Sequence, residues 1–175
     1  MSLLALYYLF LPAFLGNSAP LLVSRLPWVK RHNRPLWPAV LGSNKTYAGL
    51  LAGVLAGLLT GALQYALSRW EPLAMVSSTI HTSLSWSLLV GFLLSFGALL
   101  GDAVESAIKR RIGVPPGKPL FFWDGIDYMI GALVFLSPLY IPRPSFAIVL
   151  LLTAPIISLA ANVVAYAIGW KKVWH

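Results

Sequence analysis

Five stretches of this chain, at residues 3–24, 47–68, 83–108, 125–141 and 144–169, are apolar over a length that suits a bilayer. A hydrocarbon layer is about 30 Å thick, and a helix needs roughly 20 apolar residues to cross it. Within that layer no water satisfies backbone N–H and C=O groups, so each crossing must be helical or belong to a closed barrel. The stretches occupy most of the 175 residues. They predict an all-α, polytopic membrane helix bundle with five transmembrane helices. A single membrane domain is expected over residues 1–175, with cytosolic loops at about 25–46 and 109–124. Composition agrees, at 58% hydrophobic and 10% charged residues, against about 25% charged in soluble domains. There is no cysteine, which removes disulfides and thiolate metal ligands. The first positive charge is Arg25, so the first stretch is expected to be a retained span rather than a cleaved signal.

The spans differ in character. The first contains Pro12, Gly16, Asn17 and Pro20 and is expected to be broken or kinked. The fourth is the shortest and ends near Pro138. Gly49, Gly53, Gly57 and Gly61 form one stripe on the second, a pattern that suits close helix packing and permits a homodimer. Basic residues set the expected orientation. Eleven of the thirteen Lys and Arg lie in the loop after the first span, the loop after the third, and the C-terminal tail, leaving only Arg69 and Arg143 for the other side. The crowded side is cytosolic by the positive-inside rule, which puts the N-terminus outside and the C-terminus in the cytosol of a multi-pass cell-membrane protein. Trp28, Trp37, Trp123, Trp170 and Trp174 fall near the cytosolic ends, where interfacial aromatics gather.

Acidic residues single out a site. Only five exist, and Asp102, Glu105, Asp124 and Asp127 flank the third-to-fourth loop, leaving Glu71 alone elsewhere. Asp102, Glu105, Ser106, Lys109 and Arg110 follow i, i+3, i+4, i+7 and i+8, which is one helical face. Pairing along the helix would contribute about 0.2–0.5 kcal/mol per pair. That is too little to hold a carboxylate inside the membrane edge, so a site facing the bundle interior is favoured. The prolines at 115, 116 and 119 exclude a continuous helix through the next loop. Asp124 then suits a helix N-cap, and Asp127 shares its side. Three aspartates, Asp102, Asp124 and Asp127, beside Lys109 and Arg110 predict a magnesium and phosphate site. Magnesium favours carboxylates together with substrate phosphates, and the basic residues bind the remaining charge. In the first cytosolic loop, Gly42-Ser43-Asn44-Lys45-Thr46 runs into the second span. An anion site at that helix start and a plain Asn44 cap with an interfacial lysine are equally consistent with it. The GxxxxGK[ST] spacing of a P-loop is absent.

Together the motifs are more specific than either alone. Gly101-Asp102-x-x-x-Ser106-x-x-Lys109-Arg110 followed by Asp124-x-x-Asp127, with Ser43-Asn44-Lys45-Thr46-Tyr47-x-Gly49 upstream, resembles the signature of membrane CTP:phosphatidate cytidylyltransferases. The short chain is closer to the archaeal branch, the CDP-archaeol synthases. That likeness includes Asn17-x-x-Pro20 and the tail Asn162-x-x-Ala165-Tyr166-x-x-Gly169-x-Lys171-x-x-Trp174. The bacterial enzymes carry His-Gly-Gly where this chain reads Leu120 to Trp123. Gly125 also departs from the pattern, which often has glutamine between the aspartates. The resemblance implies transfer of the cytidylyl group from CTP to an unsaturated archaeal ether-lipid phosphate, giving a CDP-lipid and pyrophosphate. It implies Asp102, Asp124 and Asp127 on Mg2+, with Lys109 and Arg110 catalytic. Asn44, Lys45, Thr46, Ser106 and Lys118 would meet CTP, and Asn17 and Asn162 the lipid. No nucleic-acid partner is expected.

Four other functions compete. The first is the bacterial-type reaction on an acyl lipid. A CDP-alcohol phosphotransferase would need Asp-Gly-x-x-Ala-Arg, whereas Asp124-Gly125 continues Ile126-Asp127-Tyr128-Met129. A small cation transporter would use Asp102, Asp124 and Asp127 as a pathway, but such groups belong at the bilayer midplane. A structural membrane subunit would merely pair Asp102 with Lys109.

Overall fold

A computed structural model describes residues 2–68, 70, 83–115 and 123–169. The described residues form seven helices and no strand: α1 Leu3–Val23, α2 Pro27–His32, α3 Pro38–Leu41, α4 Tyr47–Leu67, α5 Leu84–Arg111, α6 Asp127–Leu136 and α7 Pro144–Ala167. Four of them, α1, α4, α5 and α7, are long and apolar enough to cross a membrane.

The first span is not broken: it stays helical throughout, with Pro12 and Pro20 within it. Pro12 has no N–H for the carbonyl four residues back, that of Tyr8. Gln64 of α4 supplies the substitute, its Nε2 donating to Tyr8 O at 2.5 Å. A neighbouring helix thus takes over a bond that the proline removes.

α4 has inverted polarity of size. Leu51, Leu55, Leu59 and Leu63 face outward, while Gly53, Gly57 and Gly61 are buried. Lipid gives no reason to hide leucine, so close backbone contact decides which face turns inward. A methyl group at Gly57 would strike the Ser95 side chain and the Gly91 carbonyl, and one at Gly53 would stand 2.7 Å from Gly16 O. The stripe is therefore filled by α1 and α5 of the same chain and leaves no such face for a second copy. A second glycine seam joins α5 to α6, where a methyl group at Gly97 would stand 2.5 Å from Gly131 O and one at Gly101 would meet the Asp127 carbonyl.

The segment expected to span at 125–141 contains only the ten-residue α6. At 1.5 Å per residue it covers about 15 Å, half of a hydrocarbon layer. Gly125, at φ +106°, turns the chain just before it, and Pro138 follows its C-cap Ser137. Met129, Ala132 and Leu136 nonetheless sit in the core with Leu6 and Phe10 of α1, Leu94 of α5 and Leu150 of α7. α5 extends through Arg111, so Lys109 and Arg110 lie on the helix rather than in a loop. α7 is the least buried of the long helices. It is fastened by a 2.7 Å hydrogen bond between the Tyr7 and Thr153 hydroxyls and by Tyr128 Oη donating to Ala154 O at 3.3 Å.

Candidate active site

The last three turns of α5 carry the polar face that the spacing predicts, and Ser106 and Lys109 on it are buried. Two other elements bring charge to that face. The first is the loop before α4. A short antiparallel contact pins it, with Leu36 N donating to Lys45 O at 2.7 Å and Tyr47 N donating to Arg34 O at 3.1 Å. The Gly49 N–H donates to Thr46 Oγ1 at 3.1 Å, which makes Thr46, and not Asn44, the N-cap of α4. Held this way, Lys45 reaches across to form an ion pair with Asp102.

The second is the turn before α6. Asp124 does not cap the helix, whose N-cap is Ile126 without a side-chain bond. Instead Asp124 Oδ1 pairs with Lys109 Nζ at 2.5 Å. Lys109 also holds Glu105 Oε1 at 2.7 Å, one turn back on its own helix. Asp127 turns its Oδ1 to the Gly125 N–H, which donates at 2.8 Å. Gly125 itself lies against α7, where any Cβ would stand 2.9 Å from Pro155 Cα. Neither its φ nor its space admits a glutamine, which accounts for the departure at this position.

The outcome is a cluster in which Asp102, Glu105 and Asp127 each present an oxygen within 4.8 Å of the others. Glu105 takes the third place, while Asp124 stands beside it on Lys109. Like charges this close repel unless cations lie between them. Lys45 and Lys109 supply two, and an all-oxygen donor set of this kind fits a hard divalent cation such as magnesium. Arg110 adds a further positive group. Its Nε and Nη1 are buried with no hydrogen-bond partner among the described residues, and Nε lies 3.9 Å from where a Gly42 Cβ would be. Guanidinium N–H groups of this kind are donors suited to the oxygens of an anion.

Two hollows border residues of the cluster. A cavity of about 700 Å³ lies between α1, α7 and the loop before α4, and Asn17, Asn44, Lys45, Thr46, Asp102 and Asn162 all line it. Asn33, which the motifs do not reveal, lines it too, with a buried Oδ1 that has no partner among the described residues. On the other side an almost wholly apolar groove of about 550 Å³ runs between α5 and α6, passing Glu105, Lys109 and Asp127 on its way to Ile112 and Trp123. Lys118 and the tail positions Lys171 and Trp174 lie outside the described residues. Glu105 carried a signal in the sequence, its i+3 spacing from Asp102, but nothing there separates it from Asp124 as a cluster member.

Comparison with known proteins bears on what this arrangement does. A family model described as CarS-like, CDP-archaeol synthase, matches residues 1–175. The CDP-archaeol synthase of Thermococcus onnurineus is 38% identical over 98% of this chain and 96% of its own length. That of Pyrococcus furiosus is 34% identical over 98% and 97%. A solved structure, described as an intramembrane enzyme for archaeal membrane lipids biosynthesis, superposes with a TM-score of 0.65 at 29% identity, covering 89% of this chain and 90% of its own. The whole length of the chain, its helical bundle and its clustered carboxylates therefore belong to the CDP-archaeol synthase family.

Proposed function

We propose that this chain transfers the cytidylyl group of CTP to an unsaturated archaeal ether-lipid phosphate, releasing pyrophosphate. The observation that carries this is the cluster of Asp102, Glu105 and Asp127 with Lys45 and Lys109 bound to it, beside the cavity that Asn17, Asn44 and Asp102 line. A lipid phosphate is already anionic, so an oxygen of it attacks the α-phosphorus of CTP without a strong base. The bond from that phosphorus to the β-phosphate oxygen breaks, and the electron pair leaves with pyrophosphate. Positioning and charge neutralisation are then the main tasks of the site.

Asp102 and Asp127 would hold Mg2+, with Glu105 the favoured third ligand by its place in the cluster and Asp124 the alternative. Bound there, the metal would neutralise charge on the transferring phosphates. Lys109 and Arg110 bind phosphate oxygens, and Lys45 turns from Asp102 to the triphosphate as it arrives. Asn44, Thr46, Ser106 and Lys118 complete the CTP contacts. The chain forms one domain with five membrane segments in the cell membrane, its N-terminus outside and its C-terminus and active site on the cytosolic side. The basic residues grouped at one set of helix ends support that orientation.

Pyrophosphate release from CTP, magnesium and the lipid phosphate tests the reaction. Asp102→Asn and Asp127→Asn are each expected to lower turnover by about a hundredfold or more. Normal turnover in both would remove the metal assignment. Glu105→Gln should raise the half-saturating magnesium concentration more than Asp124→Asn does, and the reverse order would restore Asp124 as the third ligand.

A further inference from the structure

The segment from Ser24 to Thr46, between α1 and α4, contains Arg25, Lys30, Arg31, Arg34 and Lys45 but no Asp or Glu. Lys45 is paired with Asp102. Arg25, Lys30, Arg31 and Arg34 are exposed and form no ion pair among the described residues. Surrounded by water, such cations would need no partner, because an exposed charge is already solvated. Their height relative to the bilayer sets these four apart.

Both ends of the segment are tied to spans. The Arg25 and Leu26 N–H groups donate to Leu22 O and Val23 O, in the last turn of α1, at 3.2 and 3.1 Å. Arg34 O accepts at 3.1 Å from the N–H of Tyr47, the first residue of α4. Between those ties Val29 buries its side chain and holds α2 against the bundle. At about 100° per residue, that inward residue turns Arg31 to the opposite side, with Trp28 and Lys30 on the two flanks. The segment therefore lies along the helix ends instead of rising into water. Its cations stand where two helices long enough to cross a membrane leave the hydrocarbon, which is the depth of lipid phosphates. The same segment exposes Leu26, Trp28 and Trp37, at 42%, 67% and 61%. Indoles standing out beside cations suit the boundary between headgroups and hydrocarbon chains, one end apolar and the other wet. Phosphates accept from the guanidinium and ammonium groups, and the rings reach below them. A soluble polyanion would use the cations and leave both indoles in water.

We propose that α2 and its flanks form a docking surface for anionic lipids of the surrounding bilayer, with headgroup phosphates on Arg25, Lys30, Arg31 and Arg34 and with Trp28 and Trp37 at the headgroup boundary. The occupant is the annular lipid, not the reacting one. The surface is independent of the reaction proposed above.

A chain without cysteine accepts one reporter at a time. The full chain in lipid nanodiscs carries a bimane on His32→Cys, at the end of α2, or on Ser145→Cys, beside Arg143 at the start of α7, both exposed positions. A nitroxide quencher sits high on the acyl chain of phosphatidylglycerol, which is anionic, or of phosphatidylcholine, which is zwitterionic, at equal mole fraction. At His32→Cys the anionic quencher is expected to be about twofold more effective. That excess should vanish in about 1 M salt, where the screening length is about 3 Å. The triple variant Arg25→Gln/Arg31→Gln/Arg34→Gln should lose the excess and keep the quenching by phosphatidylcholine, which shows that the segment still lies on the bilayer. Arg31→Gln alone should lower the excess and gives the same reading in a minimally altered chain. Equal quenching by the two lipids would overturn the proposal, as would an excess at Ser145→Cys as large as that at His32→Cys. An excess undiminished in the variants also counts against it. So does an excess that pyrophosphate removes at constant ionic strength, because the surface would then be a site for soluble anions.

Discussion

Lys109 is 8% exposed and holds carboxylates from two elements, Glu105 on its own helix and Asp124 from the turn before α6. Removing one partner of a fully buried ion pair costs roughly 3–5 kcal/mol. Asp124 is 38% exposed, so water recovers part of that here. Lys109→Met is expected to destabilise the protein by about 2 kcal/mol and to abolish turnover. Adding Glu105→Gln should return part of the lost thermal stability and none of the activity. A Tm for Lys109→Met equal to that of the parent would show that the lysine is not needed to hold these carboxylates. At this scale the polar face was legible, because a period of 3.6 residues placed Asp102, Glu105 and Lys109 together. The choice of partners was not. It depends on the turn at Gly125, which aims Asp124 back at α5 and folds Asp127 onto a backbone N–H, and a spacing rule carries no information about a left-handed φ.

Among the elements, the two glycine seams set where functional groups sit. The α4 stripe was visible in the sequence as a packing surface, but its partner was not, since four-residue spacing fits a neighbour in the chain as well as a second chain. The contacts with Ser95 and Gly91 decide for the former. The α5–α6 seam matters more to chemistry, because Gly101 stands beside Asp102 in sequence and touches the Asp127 backbone in space. Gly101→Ala should push the first turn of α6 outward. The expected cost is about 1–3 kcal/mol of stability, as for other overpacked sites. The half-saturating magnesium concentration should rise as Asp127 withdraws from Asp102. A variant that loses stability but keeps its magnesium dependence would make the seam purely structural. The ends of α6 were harder to foresee, since hydropathy stays high from 125 to 141 and only the backbone at Gly125 and Pro138 cuts the helix short.

For the whole molecule, the absence of cysteine makes orientation directly measurable. Arg31 on α2 and Arg143 before α7 are both exposed, and the proposed topology puts them on opposite sides. A membrane-impermeant maleimide is expected to label Arg31→Cys only from the cytosolic face and Arg143→Cys only from the outer face. The opposite pattern would invert the protein and move its site outside. The membrane class and the helical bundle were legible from apolar run lengths alone, because the bilayer leaves so few alternatives. The two hollows were not, since they arise from how far α7 stands from α1 and how α6 leans on α5. The contact between Gly125 and Pro155 has a consequence for descent. A side chain at 125 needs both another backbone turn and more distance from the last helix, and because the nearest atom is the Cα of Pro155, no exchange at 155 makes that room. A lineage that carries glutamine at 125 is therefore expected to set its whole last helix further from this turn.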